Sequence, residues 1–320
     1  MPQPKRQLVQ GPGTATVADI EPLNDLFSRS FTDRYRRDGM AGVRVPRLNP
    51  DIWRYAIEDA ADGAMLWRDA DGQLIAFNVV HRSGSEGWMG PLAVRPDRQS
   101  EGLGKQIVQA GIDWLMQQRV STIGLETMPR TVENIGFYSR LGFIPGHLTI
   151  TVVRDVVRRQ RAPGVLLSSL GKREGAVVSE CRRLTNSLAH GTDYTREIEL
   201  TARLGIGDTS VVTHEGAVTG YALWHSAPLA EGRARDELRV LKVVAADLAV
   251  FEQLVVDVQA RCHAARMRRV SIRCPSRYAD AYRLVFDHGF QTHWTDLRMT
   301  LESYGEVLPR TGIVFSNWEI

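Results

Sequence analysis

Apolar positions along the chain follow two periods, and the switch between them is clearest around residue 100. Leu92-Ala93-Val94 is a short apolar run that reads as the end of a buried strand, and Pro96-Asp97 breaks it. After Gln99-Ser100-Glu101-Gly102, the residues Leu103, Ile107, Val108, Ile112, Trp114 and Leu115 recur at helical spacing on one side. This stretch therefore predicts strand, glycine-containing turn, helix. Upstream, Thr14–Ala18 reads as a first strand. Pro22 opens a helix whose face carries Leu23, Leu26, Phe27 and Phe31, and Pro50–Ala61 is a second helix with Trp53, Tyr55 and Ile57. Asp71-Gly72 between the runs Ala64–Arg68 and Leu74–Val80 predicts a hairpin. Downstream, strand Thr122–Met128 stops at Pro129, and helix Val132–Leu141 ends at Gly142. Phe143 begins another strand, and His147–Val153 alternates as the last. This is an α/β half with a mixed sheet.

The remainder repeats that half faintly. Glu215-Gly216-Ala217-Val218-Thr219-Gly220-Tyr221 echoes Asp71-Gly72-Gln73-Leu74-Ile75-Ala76-Phe77, and His288-Gly289-Phe290 echoes Leu141-Gly142-Phe143. The two glycines lie 70 residues apart in the first copy and 73 in the second. Between the copies, Arg154–Arg173 reads as a boundary, with Arg158-Arg159-Gln160-Arg161, Pro163-Gly164 and Ser168-Ser169. The expected division is 14–156, a linker over 157–173, 174–305, and a C-terminal tail over 306–320. In the second copy Ala245-Ala246-Asp247-Leu248-Ala249 replaces the glycine turn. No glycine falls between Gly232 and Gly289, Val285 stands where Tyr138 stands, and Arg273 stands where Glu126 stands.

Composition narrows the class only a little. The 320 residues are 43% hydrophobic and 24% charged, ordinary for a globular chain and enough for two domains. A net charge of +3 and a pI near 8.8 give little reason to invoke nucleic acid. The basic run at 158–161 is short, lacks interleaved aromatics and reads as a solvated linker. Cys181, Cys262 and Cys274 have no metal-ligand spacing, and no metal is expected. Residues 1–13 read as a frayed leader without an apolar core, and no run approaches about 18 apolar residues. The expectation is a cytoplasmic protein with no membrane partner.

The turn at 99–105 has its own chemistry. A helix start aims free backbone N–H groups and the positive end of the dipole at one point, which suits an anion and above all a pyrophosphate. Gly102 and Gly104 remove the Cβ atoms that would hold a phosphate away. The spacing fits neither a P-loop nor a GxGxxG fingerprint. It resembles the (R/Q)xxGxG turn of the GCN5-related N-acetyltransferases, and Phe137-Tyr138-Ser139-Arg140-Leu141-Gly142-Phe143 resembles the YxxLGF signature of the same family. Together the two pieces cover about 50 residues. The resemblance implies two tandem acetyltransferase-like domains, each a mixed, mostly antiparallel twisted sheet flanked by helices, with an intact N-terminal copy and a degenerate C-terminal one. Mycothiol synthase also has two such domains at about this length. Its C-terminal copy is the catalytic one, so the arrangement here argues against it.

The resemblance also implies roles. Backbone groups of Leu92, Ala93 and Val94 would pair with the pantetheine arm of acetyl-CoA. Gln99, Ser100, Glu101, Gly102, Leu103, Gly104 and Lys105 would face its pyrophosphate, although Lys105 equally fits a solvent-facing side chain. Thr131 or Asn134 would contact the arm. Tyr138 would be the general acid that protonates the leaving thiolate, as a phenol can. Glu126 matches the glutamate of the LExxxxN pattern in RimI-like N-terminal acetyltransferases and is expected to act as general base, with a pKa raised by its apolar strand. Glu86 and His81 stand behind it, working through water. The strand position that is acidic in histone-type members is Trp88 here. The expected function is acetyl transfer from acetyl-CoA directly to a primary amine of a small molecule, amino acid or peptide N-terminus, by a monomer or homodimer. The alternative is a non-catalytic acyl-CoA sensor or scaffold. A residue 1–160 fragment, if it stays in solution, is expected to keep the site, and a 165–320 fragment to have none.

Overall fold

The computed structural model describes residues 9–156 and 161–318. The first half runs β1 (Val9–Thr14), α1 (Ile20–Arg37), α2 (Pro50–Ala60), β2 (Ala64–Asp69), β3 (Leu74–Ser83), β4 (Glu86–Val94), α3 (Leu103–Gln117), β5 (Thr122–Thr127), α4 (Val132–Ser139) and β6 (Phe143–Asp155). The second half repeats the order with β7 (Val165–Leu166), α5 (Glu174–Leu188), α6 (Thr195–Leu204), β8 (Gly207–His214), β9 (Ala217–His225), β10 (Glu237–Ala245), α7 (Leu248–Ala264), β11 (Arg269–Pro275), α8 (Ala279–Asp287) and β12 (Gln291–Leu301). A further strand, β13 (Ile313–Ser316), closes the chain. Local signals explain the boundaries. Asn49 caps α2 by accepting from Asp51 N, with Pro50 at the first helical position. Gly205, in the left-handed conformation, ends α6.

Three expectations shift. The first strand lies at Val9–Thr14, ahead of the β-branched run, because it joins the edge of β2 through backbone bonds and bulges between Gln10 and Gly13. Phe143–Asp155 is one strand and not two, since β12 and β11 flank it along its length. Residues 306–320, expected as a tail, carry β13, which pairs with β10. Part of the basic run, Arg158 and Arg159, lies outside the described residues.

Each half is a mixed, mostly antiparallel sheet with helices on its faces, and the two halves share one sheet. Its order is β1-β2-β3-β4-β5-β12-β6-β11-β10-β9-β8-β7. The parallel pairs are β4–β5 and β10–β11, one in each half. At the centre the halves exchange strands. β6 lies against β11 of the second half, and β12 lies between β5 and β6 of the first. Met299 of β12 sits opposite Leu125 and is fully buried among Ile107, Leu115 and Tyr138 of the first half. Residues 1–160 alone therefore lack the strand that covers the outer edge of β5. Among the described residues, no helix is long and apolar enough to cross a membrane.

The shared core predicts that Met299→Ala, a change in the second half, destabilises the first. Urea unfolding followed by the near-ultraviolet signal should show a loss of about 2–5 kcal/mol. A loss below about 1 kcal/mol would mean the exchanged strand is only peripherally packed.

Candidate active site

The site begins where β4 and β5 part. Their parallel pairing runs from Glu86↔Thr122 to Met89↔Leu125 and stops there, although β4 continues to Val94. β4 keeps its pairing with β3 through a bulge between Asn78↔Leu92 and Val80↔Met89. The other edge of residues 90–94 thus faces an opening. The far side of β5 is held by β12, with Glu126↔Arg298 and Leu125↔Met299. Gly124 allows the close approach at the apex: a Cβ there would stand 2.2 Å from the Trp88 ring.

Beyond Val94 the chain turns into α3. Gln99 Nε2 donates to the Val94 carbonyl at 3.1 Å, and Ser100 and Gly102 both have positive φ (67° and 85°). Gly102 is the N-cap of α3 and no side chain caps the helix. The N–H groups of Leu103, Gly104 and Lys105 are therefore left for an external acceptor. A Cβ on Gly102 would meet nothing within 4 Å, so the cradle is open. Leu103 is buried, while Ser100, Glu101 and Lys105 are exposed. Arg98 escaped the sequence reading. It is buried, its Nε donates to Glu101 Oε2 at 3.0 Å, and its Nη1 has no hydrogen-bond partner among the described residues.

The opening leads into a cavity of about 480 Å³ lined by both halves. Gly90, Pro91, Leu92, Glu126, Asn134 and Tyr138 come from the first half. Arg239, Arg273, Trp294, Asp296 and Trp318 come from the second. Tyr138 is 7% exposed, and burial alone pushes its phenol pKa well up. It stays protonated, the form that can donate. Asn134 reaches the cavity with Nδ2 at 3.5 Å from Thr127 Oγ1, whereas the Thr131 hydroxyl donates to Asp38 Oδ2 at 2.7 Å. Of the pair left open by the sequence, Asn134 is at the cavity wall. Ala93 packs against the α1–α2 core, and Val94 marks the strand end.

Glu126 departs from its expected chemistry. Its side chain keeps 8% of its surface, and burial pushes its pKa up, but Arg273 and Arg298 outweigh this and hold it below the usual glutamate value. Arg298 Nε donates to Oε1 at 2.9 Å, Thr149 Oγ1 donates to the same oxygen at 2.5 Å, and Arg273 Nη2 donates to Oε2. The sequence showed an apolar strand around Glu126. The arginines come from residues 273 and 298, on strands that local pattern could not bring there. Arg298 is itself wedged over Trp88, 4.2 Å from the ring centroid, and Trp88 stacks on Trp318 at 5.0 Å. Its remaining nitrogens donate to Glu306 and to the Ser316 carbonyl.

Neither runner-up base lines the cavity. The His81 ring lies 2.8 Å from Asp59 through Nδ1. Glu86 is half-buried, desolvation raises its pKa, and it accepts from Ser316 Oγ at 2.6 Å. All three cysteines are buried in the second half, where burial pushes their thiols up to about 12.

The second half lacks both features. β10 pairs with β11 from Glu237↔Arg269 to Val240↔Ile272 and then parts from it, as β4 parts from β5. There β13 fills the gap, with Lys242↔Ser316 through Ala245↔Ile313. The next helix, α7, is capped by Asp247, whose Oδ1 accepts from Val250 N at 2.8 Å. One wedge is open and its counterpart is closed by the chain itself.

A parted parallel pair, an uncapped glycine-led helix beside it and a tyrosine on the next helix define a GNAT-type fold, here in tandem. Residues 21–143, within the first half, match the acetyltransferase (GNAT) family. Mycothiol acetyltransferase of Clavibacter michiganensis subsp. michiganensis is 32% identical over 79 residues, which is 25% of this chain and 26% of that protein. The match thus spans only about a quarter of that relative. Among solved structures, a putative acetyltransferase from Pyrococcus horikoshii superposes with a TM-score of 0.68 at 16% identity, covering 98% of this chain and 95% of that one. A tandem GNAT protein from the clavulanic acid biosynthesis pathway gives 0.58 at 12% identity, covering 94% and 100%. At these identities the likeness is one of fold.

Proposed function

We propose that the protein is an acetyl-CoA-dependent N-acetyltransferase that moves the acetyl group directly onto a primary amine. The observation that carries this reading is the open edge of residues 90–94: Gly90, Pro91 and Leu92 line one cavity with Tyr138, and the end of the strand leads on to the bare amides of α3. Its length and chemistry suit a pantetheine arm hydrogen-bonded to a strand, with the pyrophosphate at the helix start. The residues present fit that group: Gly102 leaves the cradle open, and its positive φ is one that a side chain would strain. Leu92, Ala93 and Val94 supply backbone groups to the arm and polarise the thioester carbonyl. Gln99 to Lys105 form the anion cradle, Asn134 flanks the arm, and Tyr138 protonates the departing thiolate. Glu126, ionised and gripped by two guanidinium groups, holds Arg273 in place. No acyl-enzyme is required, since the amine and the thioester meet in one cavity and the three buried thiols lie in the second half.

Replacing Gly104 with valine should raise the apparent KM for acetyl-CoA more than tenfold, about 1.4 kcal/mol. Folding should be kept, because a Cβ at Gly104 meets only the Phe137 ring at 3.5 Å. An unchanged KM would place the pyrophosphate elsewhere.

Tyr138→Phe should lower kcat roughly 10- to 10³-fold with little change in acetyl-CoA affinity, the range of a lost general acid. Full activity in that variant, across a panel of small amines, amino acids and peptides, would remove Tyr138 from the mechanism.

Calorimetric titration of the intact chain should give one acetyl-CoA per chain, since β13 and Asp247 block the second wedge. Two equivalents would overturn the assignment of a single working half.

A further inference from the structure

The proposed reaction needs a group that takes the proton of the acceptor ammonium, and Glu126 is ill suited because its charge is already satisfied. The cavity lining also holds Asp296, a carboxylate that carries no sequence motif. Asp296 lies on β12, two residues before Arg298, and its side chain keeps 15% of its surface. It lines the same cavity as Tyr138 and Leu92. Trp294 Nε1 donates to its Oδ1 at 3.1 Å and Arg273 Nη2 to its Oδ2 at 3.2 Å. That Arg273 nitrogen also serves Glu126, so one guanidinium group is shared by two carboxylates.

We propose that Asp296, supplied by the exchanged strand of the second half, is the general base that deprotonates the amine acceptor. The proposal rests on the acetyltransferase reading above. Asp296 takes one proton from the ammonium, which frees the nitrogen lone pair. The N–C bond forms on the thioester carbonyl carbon and the C–S bond breaks. The Tyr138 hydroxyl proton goes to the thiolate, and the surplus proton on nitrogen returns to the tyrosinate. Asp296 then loses its proton to solvent, leaving amide, CoA thiol and one released proton.

The surroundings of Asp296 divide the two carboxylates by role. Burial pushes its pKa up, Arg273 opposes this, and the Glu126 charge adds to the rise, with a resulting value of about 6. Besides Asp296, the charged and titratable groups around the cavity are Arg34 and Tyr35 of α1, Glu126 of β5, Tyr138 of α4, Glu237 and Arg239 of β10, Arg273 of β11 and His293 of β12. Arg34 is taken by Asp38 and Glu133. Burial raises the Tyr35 pKa and the Asp296 charge raises it further, so Tyr35 remains neutral beside it. Tyr35 also stacks on Trp294 at 6.3 Å, which closes α1 over the strand that carries the base.

A base works when deprotonated, so kcat/KM should rise with pH through a limb near pH 6. Asp296→Asn should remove that limb and lower kcat/KM at pH 7 by 100-fold or more, while acetyl-CoA affinity stays within threefold. Asp296→Glu should restore part of the rate. Glu126→Gln should keep the limb but move it to lower pH, because the charge that raises the Asp296 proton affinity is gone. The ionisation is also read without turnover, from the Asp296 side-chain carboxyl ¹³C resonance, assigned by its loss in Asp296→Asn. A midpoint near 6 that falls in Glu126→Gln is expected. A midpoint at or below the ordinary aspartate value of 3.8, an acidic limb that survives in Asp296→Asn, or a limb abolished by Glu126→Gln each overturn the proposal. Failure of the underlying reading looks different: the wild-type chain would then acetylate no amine in the panel.

Discussion

The structure depends on one pairing constraint, that a strand's two edges must both be satisfied. β5 has β4 on one side only as far as Leu125, and the opening beyond that point exists because nothing else reaches in. That is tolerable because the other edge is held by β12 from Gly124 to Thr127. The strand that stabilises the wedge thus comes from the opposite half of the chain. It also brings Asp296, Arg298 and Met299, which serve the cavity, the ion-pair cluster and the core respectively. Packing, electrostatics and chemistry are joined in one eleven-residue element.

The buried charges arise from the same exchange. Glu126 and Arg273 occupy matching places in the two copies, and the pseudo-symmetry that relates them also brings them together. Burying a glutamate in a strand is costly, and it is tolerated where a guanidinium group can pair with it. Arg298 adds a second, stacked over Trp88, with its other nitrogens on Glu306 and Ser316. A cluster bonded at this many points is rigid, which suits a surface that must hold reacting groups in fixed positions.

Much of this was legible from residues. The turn at 99–105 and the hairpin at Asp71-Gly72 are local signals, and each lies where its chemistry predicts, while the helix expected to run to Leu141 ends at Ser139, with Gly142 in the turn that follows. The faint repeat was legible too, because paired glycines need no partners to be recognised. The failures share a cause. The strand around Glu126 is apolar, but the charge state of Glu126 is set by Arg273 and Arg298, up to 172 residues away. Asp296 gains meaning only beside Arg273. β13 comes after a stretch with little periodicity, and its role is to fill a gap that sequence cannot display. Local pattern fixes elements, and long-range strand exchange decides what those elements face.

The exchange also sets an order of events during synthesis. β5 leaves the ribosome well before β12, with 163 residues between Thr127 and Gln291. At about 5–20 residues per second, that is a delay of roughly 10–30 s. Throughout it the outer edge of β5 is an uncovered row of hydrogen-bonding groups beside an apolar core, the arrangement most prone to pairing with a stranger. The nascent first half has to wait with an open seam, and a chaperone or a neighbouring chain competes with β12 to close it.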